Sequence, residues 1–138
     1  MKFRYSPAIG VFDSRKRIVK RPILGLELKF ADGTYGEVPA IIDSGADTTT
    51  LNIEYAKALG IKLEEKKEIM GIGSGKVSVY CGQFTFKIKD LKESITVPAW
   101  YVDSENVNIL LGQEVFFENF RIKFEKDHET FELTEVKR

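Results

Sequence analysis

Apolar and polar residues alternate with a period of two through most of this chain, the pattern of strands with one buried face. Leu24, Leu26, Leu28 and Phe30 alternate with Gly25, Glu27 and Lys29. Asp32-Gly33 supplies hairpin chemistry, and a return strand is expected from Tyr35 to Ile42. Its last part, Val38 to Ile42, is apolar and reads as buried. Residues 68–80 predict a second hairpin with Ile72 at its tip, and Lys76, Ser78 and Tyr80 alternate with Val77, Val79 and Cys81. Phe84, Phe86 and Ile88 against Thr85, Lys87 and Lys89 predict another half-buried strand. After a turn at Asp90–Ser94, a strand is expected over Ile95–Val102, where Pro98 argues for an edge or a bulge. Trp100 and Tyr101 fit a core or an interface. A turn over Asp103–Asn106 leads to a buried strand, Val107–Leu111, stopped by Gly112. A last hairpin pairs Ile122 and Phe124 with Phe131 and Leu133, and the charged residues Glu135–Arg138 are expected to be loose.

The helical period is scarce. Asn52 is placed to cap a short helix over Ile53–Leu59, which Gly60 stops. Glu64–Lys67 reads as a polar connection. Residues 113–120 predict a second short helix with Val115, Phe116 and Phe120 inward. Residues 1–13 predict a short strand punctuated by Ser6-Pro7 and Gly10. The count is eight or nine short strands and two short helices, which makes the fold class all-β and barrel-like. One domain over residues 1–138 is expected, with a core at 22–134 and residues 1–21 as an N-terminal extension.

Composition narrows the classes of function. At 138 residues with 43% hydrophobic residues, the chain can bury a core without staples. Its formal net charge is +0, so no global field draws it to nucleic acid or membrane. The exception is local: Arg15 to Arg21 holds five basic residues in seven. That run is either a contact for an anionic partner or a solvated edge strand protected from aggregation, and the second is expected. The chain has one cysteine, Cys81, and one histidine, His128. An intramolecular disulfide and a histidine-rich metal site are thereby excluded. Cys81 falls at a core-facing strand position, which argues against a nucleophile. Neither an apolar leader nor a membrane-length segment is visible, so a cytoplasmic protein is expected.

The stretch that carries chemistry is Ile41-Ile42-Asp43-Ser44-Gly45-Ala46-Asp47-Thr48-Thr49-Thr50-Leu51. Its apolar strand ends in an acid, a hydroxyl and a glycine. Asp-Ser-Gly is also ordinary turn chemistry. Two later stretches change the balance: the glycine-rich Met70-Gly71-Ile72-Gly73-Ser74-Gly75, and Ile109-Leu110-Leu111-Gly112. In this order and spacing, over roughly residues 22–125, they resemble the retropepsin family, single-domain aspartic proteases of retroviral type.

The resemblance implies a single-lobe acid-protease barrel and an aspartic endopeptidase without metal or other cofactor. Asp43 matches the catalytic aspartate. Ser44 matches the hydroxyl residue that grips across the dimer axis, and Gly45 lets two such loops approach. Ala46 matches a small residue at the cleft floor, and Asp47 matches the position whose groups bind the substrate backbone. Gly71, Ile72 and Gly73 match the flap that closes over an extended peptide, and Leu110, Leu111 and Gly112 match the support behind the loop. Hydrolysis without a metal or a nucleophilic side chain needs an activated water, and two carboxylates sharing one proton can supply it: one takes a proton from water and the other donates to the carbonyl oxygen. Two like charges about 3 Å apart cannot both ionise, and aspartic proteases are the standard case. This chain carries each motif once, so the dyad needs two copies of Asp43 and hence a symmetric homodimer.

Two departures bear on how such a dimer forms. Gln113 stands where the viral enzymes carry an arginine that pairs with the residue matching Asp47. The C-terminus, Glu135-Val136-Lys137-Arg138, is charged where viral termini interleave as apolar strands. A catalytically silent dimerisation or peptide-binding module of the same fold is the alternative, since fold does not fix function.

Overall fold

Leu24, Leu26 and Leu28 are all buried to 1% or less, while Gly25, Glu27 and Lys29 face outward or lie at the surface. That alternation fixes which side of each strand turns inward, and the inward sides together close a barrel. The computed structural model describes residues 1–70, 75–104 and 108–137. Twelve strands and two short helices lie among them. In chain order they are β1 (Lys2–Arg4), β2 (Ser6–Phe12), β3 (Ile18–Arg21), β4 (Ile23–Lys29), β5 (Tyr35–Ile42), β6 (Thr49–Asn52), α1 (Glu54–Leu59), β7 (Lys66–Met70), β8 (Lys76–Ile88), β9 (Ser94–Val102), β10 (Ile109–Leu111), α2 (Phe116–Asn119), β11 (Phe120–Glu125) and β12 (Thr130–Glu135).

One sheet runs β4-β5-β10-β6-β9-β8-β7, and β4 also pairs with β8. Six strands therefore form a closed barrel, with β7 attached to the outer edge of β8. Its interior holds Leu24, Leu51, Phe84, Ile109 and Leu111. Burying side chains of this kind contributes about 1.5–3 kcal/mol each. Phe116 of α2 is fully buried and stacks at 6.1 Å from Phe86 and 5.4 Å from Phe120, which ties the helix to the barrel. A second sheet, β1-β12-β11, uses both ends of the chain. Its register includes Ile122 opposite Leu133 and Phe124 opposite Phe131, as the alternation predicts. A third sheet is the β2–β3 hairpin alone.

Several elements differ from expectation, each for a local reason. The strands among the described residues number twelve rather than eight or nine. Residues 2–21 hold three of them, and Thr49–Asn52 is a strand although its threonines read as loop. β8 is one thirteen-residue strand, and Gly82 does not break it. A Cβ there would lie 3.1 Å from the Tyr101 ring, so this glycine makes room for a buried neighbour. Cys81, on the same strand, is half-buried rather than fully in the core.

β9 lies inside the sheet, and its register with β8 is continuous through Pro98. Its pairing with β6 starts only at Ala99, so the proline sits where no β6 hydrogen bond is asked of it. The Asn52 side chain accepts from the Glu54 N–H at 2.9 Å, but α1 itself starts at Glu54. α2 is shorter than the predicted 113–120. The chain bends there so sharply that Val115 takes φ +67°, uncommon for a β-branched residue. Asn119 Nδ2 donates to Val115 O at 2.7 Å and holds the bend. β7 begins at Lys66, inside the predicted polar connection. Glu135 closes β12 rather than fraying, and Val136 N–H donates to Asn119 O. In the basic run, Ile18–Arg21 forms β3, Arg17 pairs with Asp13 and Lys20 pairs with Glu129.

Candidate active site

β5 delivers Asp43 at its end, with β10 alongside in parallel register: Ile109 opposite Ala40, Leu110 opposite Ile41 and Leu111 opposite Ile42. On the other side of β10 lies β6, antiparallel, with Leu110 opposite Thr50. The loop from Asp43 to Thr48 therefore leaves one neighbour of β10, crosses the end of β10 and returns as its other neighbour. The chain that follows β10 has to pass close beneath that loop.

Gly112 stands at the crossing. A Cβ on it would sit 2.6 Å from the Thr48 carbonyl carbon, 2.8 Å from its oxygen and 2.9 Å from Ala46 O. Those are backbone atoms with nowhere to go, so the position requires glycine. The Gly112 N–H donates to Thr49 Oγ1 at 3.1 Å, and Thr49 is fully buried. Next to it, the Asp43 N–H donates to Leu111 O at 3.0 Å. The Gln113 N–H donates to Ala46 O at 2.8 Å, and the Glu114 N–H donates to Asp47 O at 2.9 Å. The Gln113 side chain adds a bond from Nε2 to Ser44 O. Five hydrogen bonds thus tie the loop and the start of β6 to the end of β10 and the segment that follows it.

Within the loop, the Gly45 N–H donates to Asp43 Oδ1 at 2.9 Å, and the Ala46 N–H donates to Asp43 O at 3.2 Å. The carboxylate is half-buried and held by a backbone donor, so its direction is fixed by the loop rather than by a second side chain. Ser44 and Gly45 are exposed. The loop presents its outer surface to whatever approaches the end of β5. Asp47 is exposed too, and it lines a shallow hollow with Gln113, Glu114, Phe117 and Glu118.

The structure therefore brings together Asp43, Ser44, Gly45, Ala46, Asp47, Leu110, Leu111 and Gly112. Gly71, Ile72 and Gly73 lie outside the described residues. Two contributors were not singled out by the sequence. Thr49 looked like one of three loop threonines, and only its burial reveals that its hydroxyl serves Gly112. Gln113 counted only as a missing arginine, whereas its amide braces Ser44. Among the described residues, one cluster has metal-ligand spacing, Glu125, Asp127 and His128. It lies at the β11–β12 turn and shares no residue with the Asp43 loop.

Comparison with known proteins agrees with this geometry. The sequence model of the aspartyl protease family matches residues 26–115, and the chain belongs to that family. Among solved structures it is similar to a retropepsin-like aspartic protease from Rickettsia conorii. That match has 15% identity, covers 95% of each chain and has a TM-score of 0.52. It is also similar to the retroviral protease-like domain of Ddi1 from Leishmania major. There the identity is 13%, 83% of this chain and 90% of that one are covered, and the TM-score is 0.52. At such identities the likeness shows the fold, which is all-β and retropepsin-like. No curated protein matches the chain in sequence. No described helix is long and apolar enough to cross a membrane.

Proposed function

We propose that the protein is an aspartic endopeptidase that works as a homodimer, each chain contributing one Asp43 to a shared dyad. The observation that carries this reading is the bracing of the Asp43 loop. A carboxylate sits at an exposed loop, oriented by the Gly45 N–H and locked in place by Gly112. A mere turn needs neither that orientation nor a crossing so close that it admits only glycine.

Ser44 and Gly45 face outward, where a second loop would meet them. One carboxylate takes a proton from a water held between the two. The other, protonated, donates to the oxygen of the scissile carbonyl as the water oxygen bonds to its carbon. Proton transfer to the amide nitrogen then lets the C–N bond break. The substrate is an extended peptide with apolar side chains beside the cut, bound partly by main-chain hydrogen bonds. Ala46 and Asp47 lie beside its path, with Gly71, Ile72 and Gly73 as the flap over it. The reading includes a cytoplasmic site of action, supported by a lone, half-buried cysteine.

The test is cleavage of a mixed peptide library between about pH 4 and 7, with wild type and Asp43→Asn at several protein concentrations. Asparagine keeps the shape and removes the acid–base group, so activity should fall by about two to four orders of magnitude. Wild-type activity should rise faster than linearly with concentration. Two dimeric proteins that cut nothing would replace the protease with a peptide-binding module.

A further inference from the structure

The β2–β3 hairpin holds four of the seven exposed large apolar residues among the described residues. Ile9 is 87% exposed, Phe12 60% and Ile18 50%, yet all three are large and apolar. A two-stranded hairpin is marginal in water by itself and gains stability by laying an apolar side on another surface. Lys20 of the hairpin pairs with Glu129 at the β11–β12 turn, while Ile9, Val11, Phe12 and Ile18 stay exposed.

Where the hairpin is rooted matters. β4 runs antiparallel to β5, with Ile23 opposite Ile41, so the chain preceding Ile23 lies at the Asp43 end of the sheet. The Ile42 N–H donates to Pro22 O at 3.0 Å, and Arg21 pairs with Ser6 at the hairpin base. The hairpin thus leaves the body within two residues of the strand that carries Asp43. A strand of this length spans about 23 Å. Its turn carries three exposed basic residues, Arg15, Lys16 and Arg17. The exposed acids beside the site are Asp47, Glu114 and Glu118, which line the hollow together with Gln113 and Phe117. Asp47 is four residues from Asp43 and so at most about 14 Å from it, well inside the hairpin's reach.

We infer that the β2–β3 hairpin is an arm that each chain lays across a second copy, apolar side down, with its basic turn against the partner's acidic rim. The inference rests on the proposed dyad, because only the need for a second Asp43 brings another copy against this end of the barrel. Twofold symmetry then makes the contact twice. The terminal strands leave this role open. β12 already has β1 on one side and β11 on the other, both from its own chain. Interleaved termini of the viral kind would have to break that sheet. Opposite charges at the turn and the rim would set the register of the embrace and speed its formation.

The experiment is sedimentation equilibrium in an Asp43→Asn background, which cannot digest itself. Ile9→Glu with Phe12→Glu should raise the dimer dissociation constant at least about tenfold, with the circular dichroism of the barrel unchanged. Lys16→Glu alters only an exposed side chain and should weaken the dimer by a smaller factor, and Glu114→Lys added to it should restore affinity. Unchanged dissociation constants in these variants would overturn the inference and make some other protein the hairpin's partner. A wild type that stays monomeric at all concentrations would overturn it too. The readout is mass rather than cleavage. A protein that dimerises through the arm and cuts nothing would sink the protease reading and keep the arm. Full activity at low concentration when the same arm changes are made in a chain that keeps Asp43 would do the reverse.

Discussion

The Asp43 loop and the β2–β3 hairpin begin within two residues of the same strand end, and they are held in opposite ways. The loop is fixed by its own chain through five hydrogen bonds and a crossing that admits only glycine. The hairpin is fixed mainly by itself, with large apolar side chains facing water. A site that must hold a carboxylate to a fraction of an ångström is over-determined from within. A surface that meets a partner is left under-determined until the partner arrives.

Four changes would break or sharpen that contrast. The largest effect is expected from Gly112→Ala. A methyl 2.6 Å from the Thr48 backbone must push the loop away, so activity should vanish and thermal unfolding should register a loss of about 1–3 kcal/mol or more. By comparison, Ile9→Glu with Phe12→Glu should move the unfolding of the isolated chain by no more than about 0.5 kcal/mol, as expected for surface positions. Equal losses from the two would erase the distinction.

Thr49→Val comes next. It keeps the shape and leaves the buried Gly112 N–H without an acceptor, which costs about 1–3 kcal/mol. Chemical denaturation measures this directly, and kcat should fall with stability. Gln113→Ala removes one side-chain bond to Ser44 O, worth about 1 kcal/mol. Activity should drop by up to about tenfold with the fold intact, and Gln113→Glu should not rescue it, because a carboxylate cannot donate.

The smallest effect concerns the hairpin turn. Backbone N–H groups of Arg17 and Arg15, together with the Arg17 side chain, hold the Asp13 carboxyl below the ordinary aspartate range. A folded pKa below the unfolded one means that this support is present above about pH 3.9 and is lost as pH falls through the lowered value. The Arg15 and Arg17 amide resonances should shift together on acidification. Asp13→Asn should abolish the transition.

Much of the fold was legible because period-two alternation is enforced by burial. β4, β5 and the final hairpin appear where the alternation puts them, down to the pairing of Ile122 with Leu133. What the sequence hid depends on partners distant along the chain. Thr49–Asn52 is a strand only because β10 and β9 flank it. The strands expected on either side of Gly82 are one, and the Tyr101 ring that this glycine accommodates lies across the sheet. That ring is buried and its hydroxyl donates to Gln83 O at 2.7 Å, and burial pushes the phenol up to about 12. At the site, Asp43 announced itself by position after an apolar strand. Thr49 and Gln113 did not, because hydroxyl and amide side chains are common near loops and only geometry gives them a role.

The bond from Gln113 to Ser44 O closes a gap of 69 residues along the chain. At about 5–20 residues per second, a ribosome would leave the Asp43 loop without its brace for several seconds. Long-range closures of this kind are also slow steps in folding. A half-made chain therefore carries the acid before it carries the geometry that positions it.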